Sequence, residues 1–237
     1  MATTGHTIKA FDEELDQLRA TIAEMGGLAE TAIREAMQAL VRRDKEAAQA
    51  VVQRDQRIDL LEAEAERQAV QIIALRAPMA DDLREVVAAL KIAGVVERIG
   101  DYAKNIAKRV GSVEDSKIRP LSLLPEMARI ASEMVHDVLD AFAARDAQKA
   151  ADVCERDAAV DDFYNSIFRA LLTHMMENPH NITPATHLLF VAKNLERIGD
   201  HATNVAEMVY FAAKGEHLTE RAKGADPSDI EASDVAG

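Results

Sequence analysis

A five-residue motif, Glu-Arg-Ile-Gly-Asp, occurs twice in the sequence and supplies the side chains best suited to chemistry. It spans residues 97–101 and recurs unchanged at 196–200. Each copy places two carboxylates four residues apart, so they share one face of a helix and lie about 6 Å apart along its axis. Like charges at this spacing repel each other by a few tenths of a kcal/mol. A sequence that carries the motif twice tolerates this cost twice.

A second pair of carboxylates precedes each copy of the motif. Asp55 and Asp59 are again four residues apart, and Asp157 and Asp161 repeat them 102 residues later. Antiparallel packing of the two helices in each copy would bring both pairs together. Four carboxylates, with an amide in line one turn beyond the motif, form an all-oxygen environment. Such a site suits Mg²⁺, Mn²⁺, Ca²⁺ or iron better than copper or thiol-favouring zinc.

The alternative is that these acidic residues form an ordinary solvated helix face. Arg98, Lys104 and Lys108 are close enough in sequence to neutralise them through surface ion pairs, each worth less than about 1 kcal/mol. Recurrence of both carboxylate pairs in both copies favours a metal site over this alternative.

Six helices are predicted to position these residues, because apolar side chains recur at spacings of three and four along most of the chain. Pro78, Gly111 and Pro179 mark three of the helix ends. Two prolines, Pro120 and Pro125, open the fourth helix. The predicted helices run from about 8 to 41, 45 to 75, 79 to 110, 120 to 144, 147 to 176 and 184 to 215.

The helices repeat as two sets of three. Arg43-Asp44 recurs as Arg145-Asp146 at the same distance of 102 residues, whereas the third and sixth helices are 99 residues apart. A deletion of three residues near the second interhelix turn explains the difference. A tandem duplication follows, and the fold class is all-α, with two tandem three-helix bundles like spectrin repeats. The predicted domains are residues 1–113, residues 114–220 and a disordered acidic tail at 221–237.

Composition excludes several classes of function. The 237 residues carry a formal net charge of −13, which argues against a nucleic-acid binder. Cys154 is the single cysteine, so neither an internal disulfide nor a cysteine-rich zinc site can form, and we interpret it as a packing residue. The first residues lack the apolar segment of a signal peptide, and no apolar run approaches the roughly 20 residues of a membrane span. We therefore expect a cytoplasmic protein.

The duplicated motif resembles that of the PhoU family of phosphate uptake regulators. Supporting stretches are Arg76-Ala77-Pro78, Asp82-Leu83-Arg84, the run from His136 to Phe142, and Met175-Met176-Glu177. The resemblance covers residues from about 11 to 215. It implies a cytoplasmic helical regulator, commonly a homodimer, that represses phosphate-starvation signalling when phosphate is plentiful. The implied partners are a sensor histidine kinase and the phosphate ABC transporter, through its ATPase subunit.

The resemblance also implies metal ligands and cofactors. Family members bind metal ions through Glu/Asp-x-x-x-Asp motifs on the surface of each bundle, and ions of Mg, Mn, Fe or Zn are the candidates. Carried over by position, the candidate metal ligands are Asp55, Asp59, Glu97 and Asp101 in the first copy and Asp157, Asp161, Glu196 and Asp200 in the second, with Asn105 and Asn204 as weaker candidates.

Two rival functions are weighed against this adaptor interpretation. A di-metal enzyme of the ferritin-like type would use Glu-x-x-His pairs on core-facing helices, whereas His201 follows the second motif where the first has Tyr102. The sequence also shows no nucleophile with a base at plausible spacing and no Gly-rich phosphate loop. A metal-free helical scaffold fits the composition but leaves the repeated carboxylates unexplained.

Overall fold

A computed structural model describes residues 3–113 and 122–218 of the chain, and these residues form helices with no β-strand among them. The α-helices are α1 (Thr3–Arg42), α2 (Lys45–Arg76), α3 (Asp81–Val113), α4 (Leu123–Ala144), α5 (Ala147–Cys154), α6 (Asp157–Glu177) and α7 (Ile182–Lys214), with a 3₁₀ turn at Pro179–Asn181 before α7. The all-α prediction is confirmed. No helix in the described part of the chain is long and apolar enough to cross a membrane.

The helices form two three-helix bundles that share one core. Helices α1, α2 and α3 pack together, α4 to α7 form the second set, and the two sets meet through α3 on α7 and α1 on α4. The buried apolar side chains make one continuous cluster across both sets. The predicted boundary between residues 113 and 114 falls where the described part is interrupted and stays a prediction. The predicted tail at 221–237 lies outside the described residues.

An approximate two-fold relation links the two sets. The end of α3 meets the start of α7, because Arg109 Nη1 lies 3.3 Å from His187 Nδ1, so the two helices run antiparallel. Tyr102 and His201 occupy equivalent positions of the two copies and meet edge to face, with ring centroids 5.2 Å apart and an interplanar angle of 85°. Their contact lies where the two copies cross.

The repeated Arg-Asp pairs form matching turns. Arg43 and Arg145 adopt left-handed backbone conformations with φ of 58° and 53°, which end α1 and α4. The aspartate that follows each arginine caps the next helix. Asp44 accepts a hydrogen bond from the Ala47 amide at 3.0 Å, and Asp146 accepts from two amides of α5, also at 3.0 Å. The Arg-Asp pairs therefore recur because each pair ends one helix and caps the next.

One predicted helix is interrupted. The sequence predicts a continuous helix from about 147 to 176, but the structure divides it into α5 and α6 at Glu155 and Arg156. The amides of these two residues bond to carbonyls three residues earlier, at 3.3 and 3.0 Å, so the regular i→i−4 ladder is broken. Arg156 also reaches Asp137 on α4, at 2.6 Å. The second copy thus differs from the first, whose α2 is continuous, and α6 starts at the candidate ligand Asp157.

Candidate functional site

The glycine of each motif brings the preceding helix close to the carboxylates. A Cβ atom on Gly100 would lie 2.8 Å from Ile58 Cδ1 and 3.3 Å from Asp55 Oδ1. On Gly199 it would lie 3.3 Å from Val160 Cγ1 and 3.6 Å from an oxygen of the equivalent aspartate, at position 157. The predicted antiparallel packing is confirmed in both copies, and it sets one aspartate of the preceding helix against each motif.

A lysine ammonium holds two carboxylates of the first copy together. Lys104 lies one turn beyond the motif on α3, and its Nζ donates hydrogen bonds to both Asp55 and Asp101. Only 6% of the Asp55 side chain is exposed. Burial alone would lower the pKa of Lys104, but the hydrogen bonds to the two carboxylates raise it above its ordinary value. The ammonium is therefore charged and serves as the cation of this cluster.

The other two carboxylates of the first copy, Glu97 and Asp59, are repelled by Asp55 and Asp101. The pKa of Glu97 is raised, first by burial and then by Asp101, Asp59, Glu62 and Asp55. The pKa of Asp59 is raised by burial and by Asp55, while Lys104 opposes the shift. The four carboxylates are therefore near enough to repel one another, and we call Asp55, Asp59, Glu97 and Asp101 the first carboxylate cluster.

In the second copy a different lysine contacts the glutamate of the motif. Lys193 on α7 donates to Glu196 Oε1 at 2.9 Å, and its Nζ lies 5.0 Å from the centre of the Tyr164 ring. The pKa of Glu196 is raised by burial, which Lys193 opposes and Asp200 reinforces. Arg197 Nη1 donates to Asp200 Oδ2 at 3.4 Å.

Asp157 and Asp161 of this copy are half-buried on α6. We call Asp157, Asp161, Glu196 and Asp200 the second carboxylate cluster.

The donor atoms of both clusters fit a hard divalent cation, although the side chains do not yet surround one. Among the described residues, no three His, Cys, Asp or Glu side chains are arranged closely enough to hold one ion. In the first cluster the Lys104 ammonium already stands between two of the carboxylates. In the second, the buried Glu196 Oε2 lies 3.8 Å from Arg197 Nε but has no hydrogen-bond partner in the described structure, which leaves acceptor capacity for a cation. Asn105 is half-buried and Asn204 is exposed.

Sequence reasoning missed three residues that shape the clusters. Glu62 adds a carboxylate near Glu97, and its equivalent in the second copy is Tyr164, beneath Lys193. Each missed residue follows helical spacing, since Glu62 comes three residues after Asp59 and Lys193 comes three residues before Glu196. That spacing was the available signal.

The remaining predictions about these helices have clear outcomes. Of the three basic residues considered as neutralising partners, Lys104 lies within the cluster, whereas Arg98 and Lys108 are exposed. Cys154 is buried in the core, as expected of a packing residue.

Comparisons with known proteins agree with this architecture. The PhoU domain family matches residues 22–110 and 124–209. A "phosphate-specific transport system accessory protein PhoU homolog" of Zymomonas mobilis is 58% identical over 223 residues, which cover 94% of each chain. A homolog of the same description from Caulobacter vibrioides is 50% identical and covers 91% of this chain and 95% of its own. The crystal structure of PhoU from Pseudomonas aeruginosa superposes with a TM-score of 0.83 at 36% identity, covering 87% of this chain and 100% of that one.

Proposed function

This chain belongs to the PhoU family, and on that premise we propose that it is a negative regulator of phosphate uptake and of phosphate-starvation signalling. It acts in the cytoplasm as an adaptor between a sensor histidine kinase and the ATPase subunit of the phosphate ABC transporter, and it forms a homodimer. The observation that carries the proposal is the match to the Zymomonas mobilis accessory protein, 58% identical over 94% of both chains. A regulatory role agrees with the description of that protein as an accessory protein of phosphate transport.

The two carboxylate clusters are the proposed metal sites of this regulator. In the first, Asp55, Asp59, Glu97 and Asp101 would hold the ion. In the second, Asp157, Asp161, Glu196 and Asp200 would do so. A bound divalent ion supplies positive charge that neutralises the mutual repulsion of these carboxylates. Since the ligands come from neighbouring helices, the residues of each cluster fix the position of one helix of a bundle against the next.

An adaptor is favoured over an enzyme because the relatives are described as accessory proteins. The motif also spaces its carboxylates as Glu-x-x-x-Asp, on a line apart from the apolar seam of α3 and α7. That seam is fully buried, and its residues are Val96, Ile99, Ala103, Ile106 and Val110 in α3 and Leu195, Ile198, Ala202, Val205 and Val209 in α7. The ligands therefore lie beside the seam of each bundle, where solvent reaches Asp101, which is 41% exposed, while Asp55 is almost fully buried.

The proposal is tested by complementation. In cells that lack their own copy of this gene, wild-type protein should restore low phosphate uptake and silence a phosphate-starvation reporter in phosphate-rich medium. The Glu97→Ala/Glu196→Ala variant removes one carboxylate from each cluster, so we expect it to leave the reporter active. Uptake of labelled phosphate and reporter output are measured, and co-purification with the transporter ATPase and the kinase tests the adaptor role.

A matched control separates the clusters from charge in general. Glu66→Ala/Glu207→Ala also removes two carboxylates, but both residues are exposed on α2 and α7 outside the clusters, so repression should be retained. If a cluster variant of normal abundance represses fully, the metal sites have no regulatory role. If wild-type protein changes neither uptake nor reporter, the regulator proposal itself is wrong.

A further inference from the structure

Each carboxylate cluster contains one lysine, and the two lysines come from non-equivalent positions. Lys104 follows Asp101 by three residues, and Lys193 precedes Glu196 by three residues. The position equivalent to Lys104 in the second copy is Thr203, and the position equivalent to Lys193 in the first copy is Gly94. Duplication therefore does not explain the lysines, yet in each copy one ammonium group contacts the cluster, Lys104 at two carboxylates and Lys193 at Glu196.

Both ammonium groups are held in place by specific contacts. Lys104 is 20% exposed and donates to two carboxylates on two helices. Lys193 is 27% exposed, donates to Glu196 and lies over the face of Tyr164, where a cation is attracted to the ring. Tyr164 stands where the first copy has Glu62, so the second copy has an aromatic ring facing its ammonium in place of a fifth carboxylate.

An ammonium group and a divalent ion satisfy the same carboxylates in different ways. The ammonium carries one charge and up to three directional donors, whereas a divalent ion draws six or more oxygens to distances below about 2.6 Å. The carboxylate oxygens that Lys104 engages cannot close around an ion while the ammonium stands between Asp55 and Asp101. This is consistent with the absence of a ready three-ligand arrangement in the described residues.

We propose that Lys104 and Lys193 are tethered cations that compete with a divalent metal ion for the two carboxylate clusters. The inference rests on the proposed function, since it takes metal binding by the clusters as given. Without metal, the lysines neutralise the carboxylates and keep the helices together. When metal binds, each ammonium is displaced and turns toward solvent. The metal-bound protein therefore exposes two positive charges on its surface that the metal-free protein holds within the clusters.

The first test measures lysine accessibility in the intact wild-type chain. The metal-free protein is labelled with a limiting amount of an amine-acylating reagent, with and without saturating Mn²⁺, and each lysine is quantified by mass spectrometry. We expect labelling of Lys104 and Lys193 to rise several-fold with Mn²⁺. Lys108, which is exposed one turn beyond Lys104, should be labelled equally in both samples. Unchanged or reduced labelling of Lys104 and Lys193 in Mn²⁺-loaded protein would overturn the proposal.

The second test measures affinity after removal of each ammonium. Lys104→Met and Lys193→Met keep most of the aliphatic side chain and remove the charge, and Lys108→Met is the control. Calorimetric titration with Mn²⁺ should show at least about tenfold tighter binding at one class of site in each variant, with the other class and the control unchanged. Melting temperatures without metal should fall in the two variants and recover with Mn²⁺, which also shows that they are folded.

The outcomes separate this inference from the proposed metal sites. If wild type and variants bind Mn²⁺ with equal affinity, the clusters are metal sites but the lysines do not compete for them. Weaker binding in the variants would make the lysines supports of the metal-bound form, which contradicts the competition. If no protein binds Mn²⁺, the metal sites and the competition both fail.

Discussion

Glycine at the fourth position of each motif serves packing, which is a different role from that of the carboxylates on either side. A glycine inside a helix costs about 1 kcal/mol relative to alanine, so its presence in both copies needs a reason. The reason is contact with the preceding helix, because a Cβ on Gly100 would collide with Ile58 at 2.8 Å. Gly94, two turns earlier on α3, has no atom within 4 Å of its hypothetical Cβ and lacks that reason.

These two glycines should respond in opposite ways to alanine. Gly100→Ala inserts a methyl group between Ile58 and Asp55, and we expect overpacking to outweigh the gain in helix propensity, so that the free energy of unfolding falls by up to about 2 kcal/mol. Gly94→Ala should raise it by up to about 1 kcal/mol through helix propensity. Urea denaturation of the metal-free proteins measures both changes. Equal stabilisation by the two substitutions would show that α2 and α3 do not meet closely at the motif.

The carboxylate positions were predictable from sequence, whereas the cations beside them were predictable only in part. Helical spacing places Glu97 and Asp101 on one line whatever surrounds them. Lys104 is one of three basic residues close to the motif in sequence, and only packing and rotamer choice decide which one reaches Asp55. Lys193 and Tyr164 occur in the second copy alone, so they could not be recognised, as the carboxylates could, by their recurrence in both copies.

At the scale of helices, most boundaries could be predicted because residues close to each boundary in sequence determine it. The turns after α1 and α4 use an aspartate cap, and Pro78 stops α2. The break between α5 and α6 could not be predicted, because Cys154-Glu155-Arg156-Asp157 contains neither glycine nor proline. The accompanying contact, from Arg156 to Asp137 on α4, joins residues 19 apart in the chain and belongs to tertiary structure.

The contact between α3 and α7 should make stability depend on pH. Burial and the neighbouring Arg109 guanidinium lower the pKa of His187. A histidine with a lowered pKa in the folded state is protonated first in the unfolded state, near its ordinary value of about 6.5. His187 therefore costs the fold stability as pH falls through and below that value, and the cost is absent at higher pH.

We expect the melting temperature of wild type to fall more between pH 7.5 and 5.5 than that of His187→Gln, which cannot titrate. Differential scanning calorimetry across this range measures the difference. His180→Gln removes an exposed histidine outside this contact and should leave the wild-type pH profile in place. Parallel profiles for wild type and His187→Gln would show that His187 does not couple the helix contact to pH.

At the scale of the whole molecule, one buried carboxylate joins the two bundles. Glu85 on α3 is 7% exposed and accepts hydrogen bonds from Arg19 Nε on α1 at 2.8 Å and from Arg145 Nε, in the turn after α4, at 3.0 Å. The equivalent of Glu85 in the second copy is Pro184, so this link exists once. Symmetry between the copies gives no hint of it, which is why the sequence did not predict it.

Removing this link should cost more than removing a surface ion pair. Glu85→Ala leaves the partly buried Arg19 paired with the exposed Asp16 alone among the described residues, and we expect a loss of about 2–3 kcal/mol in the free energy of unfolding. The value lies below that of a fully buried pair because the Arg145 side chain is 55% exposed and regains water. Chemical denaturation measures the loss. Glu126→Ala, which breaks an exposed pair within α4, should cost no more than about 0.5 kcal/mol, and equal losses in the two variants would contradict the link.

The contact of Tyr102 with His201 lies where the two copies cross, and its chemistry depends on their being one polypeptide. In a symmetric dimer of identical chains, a residue at the two-fold axis faces itself, so a tyrosine there meets a tyrosine and a histidine meets a histidine. Fusion of the two copies into a single gene product removes that constraint. The two positions at the axis can then mutate independently. A tyrosine can therefore face a histidine, which is impossible at the axis of a symmetric homodimer of a single repeat.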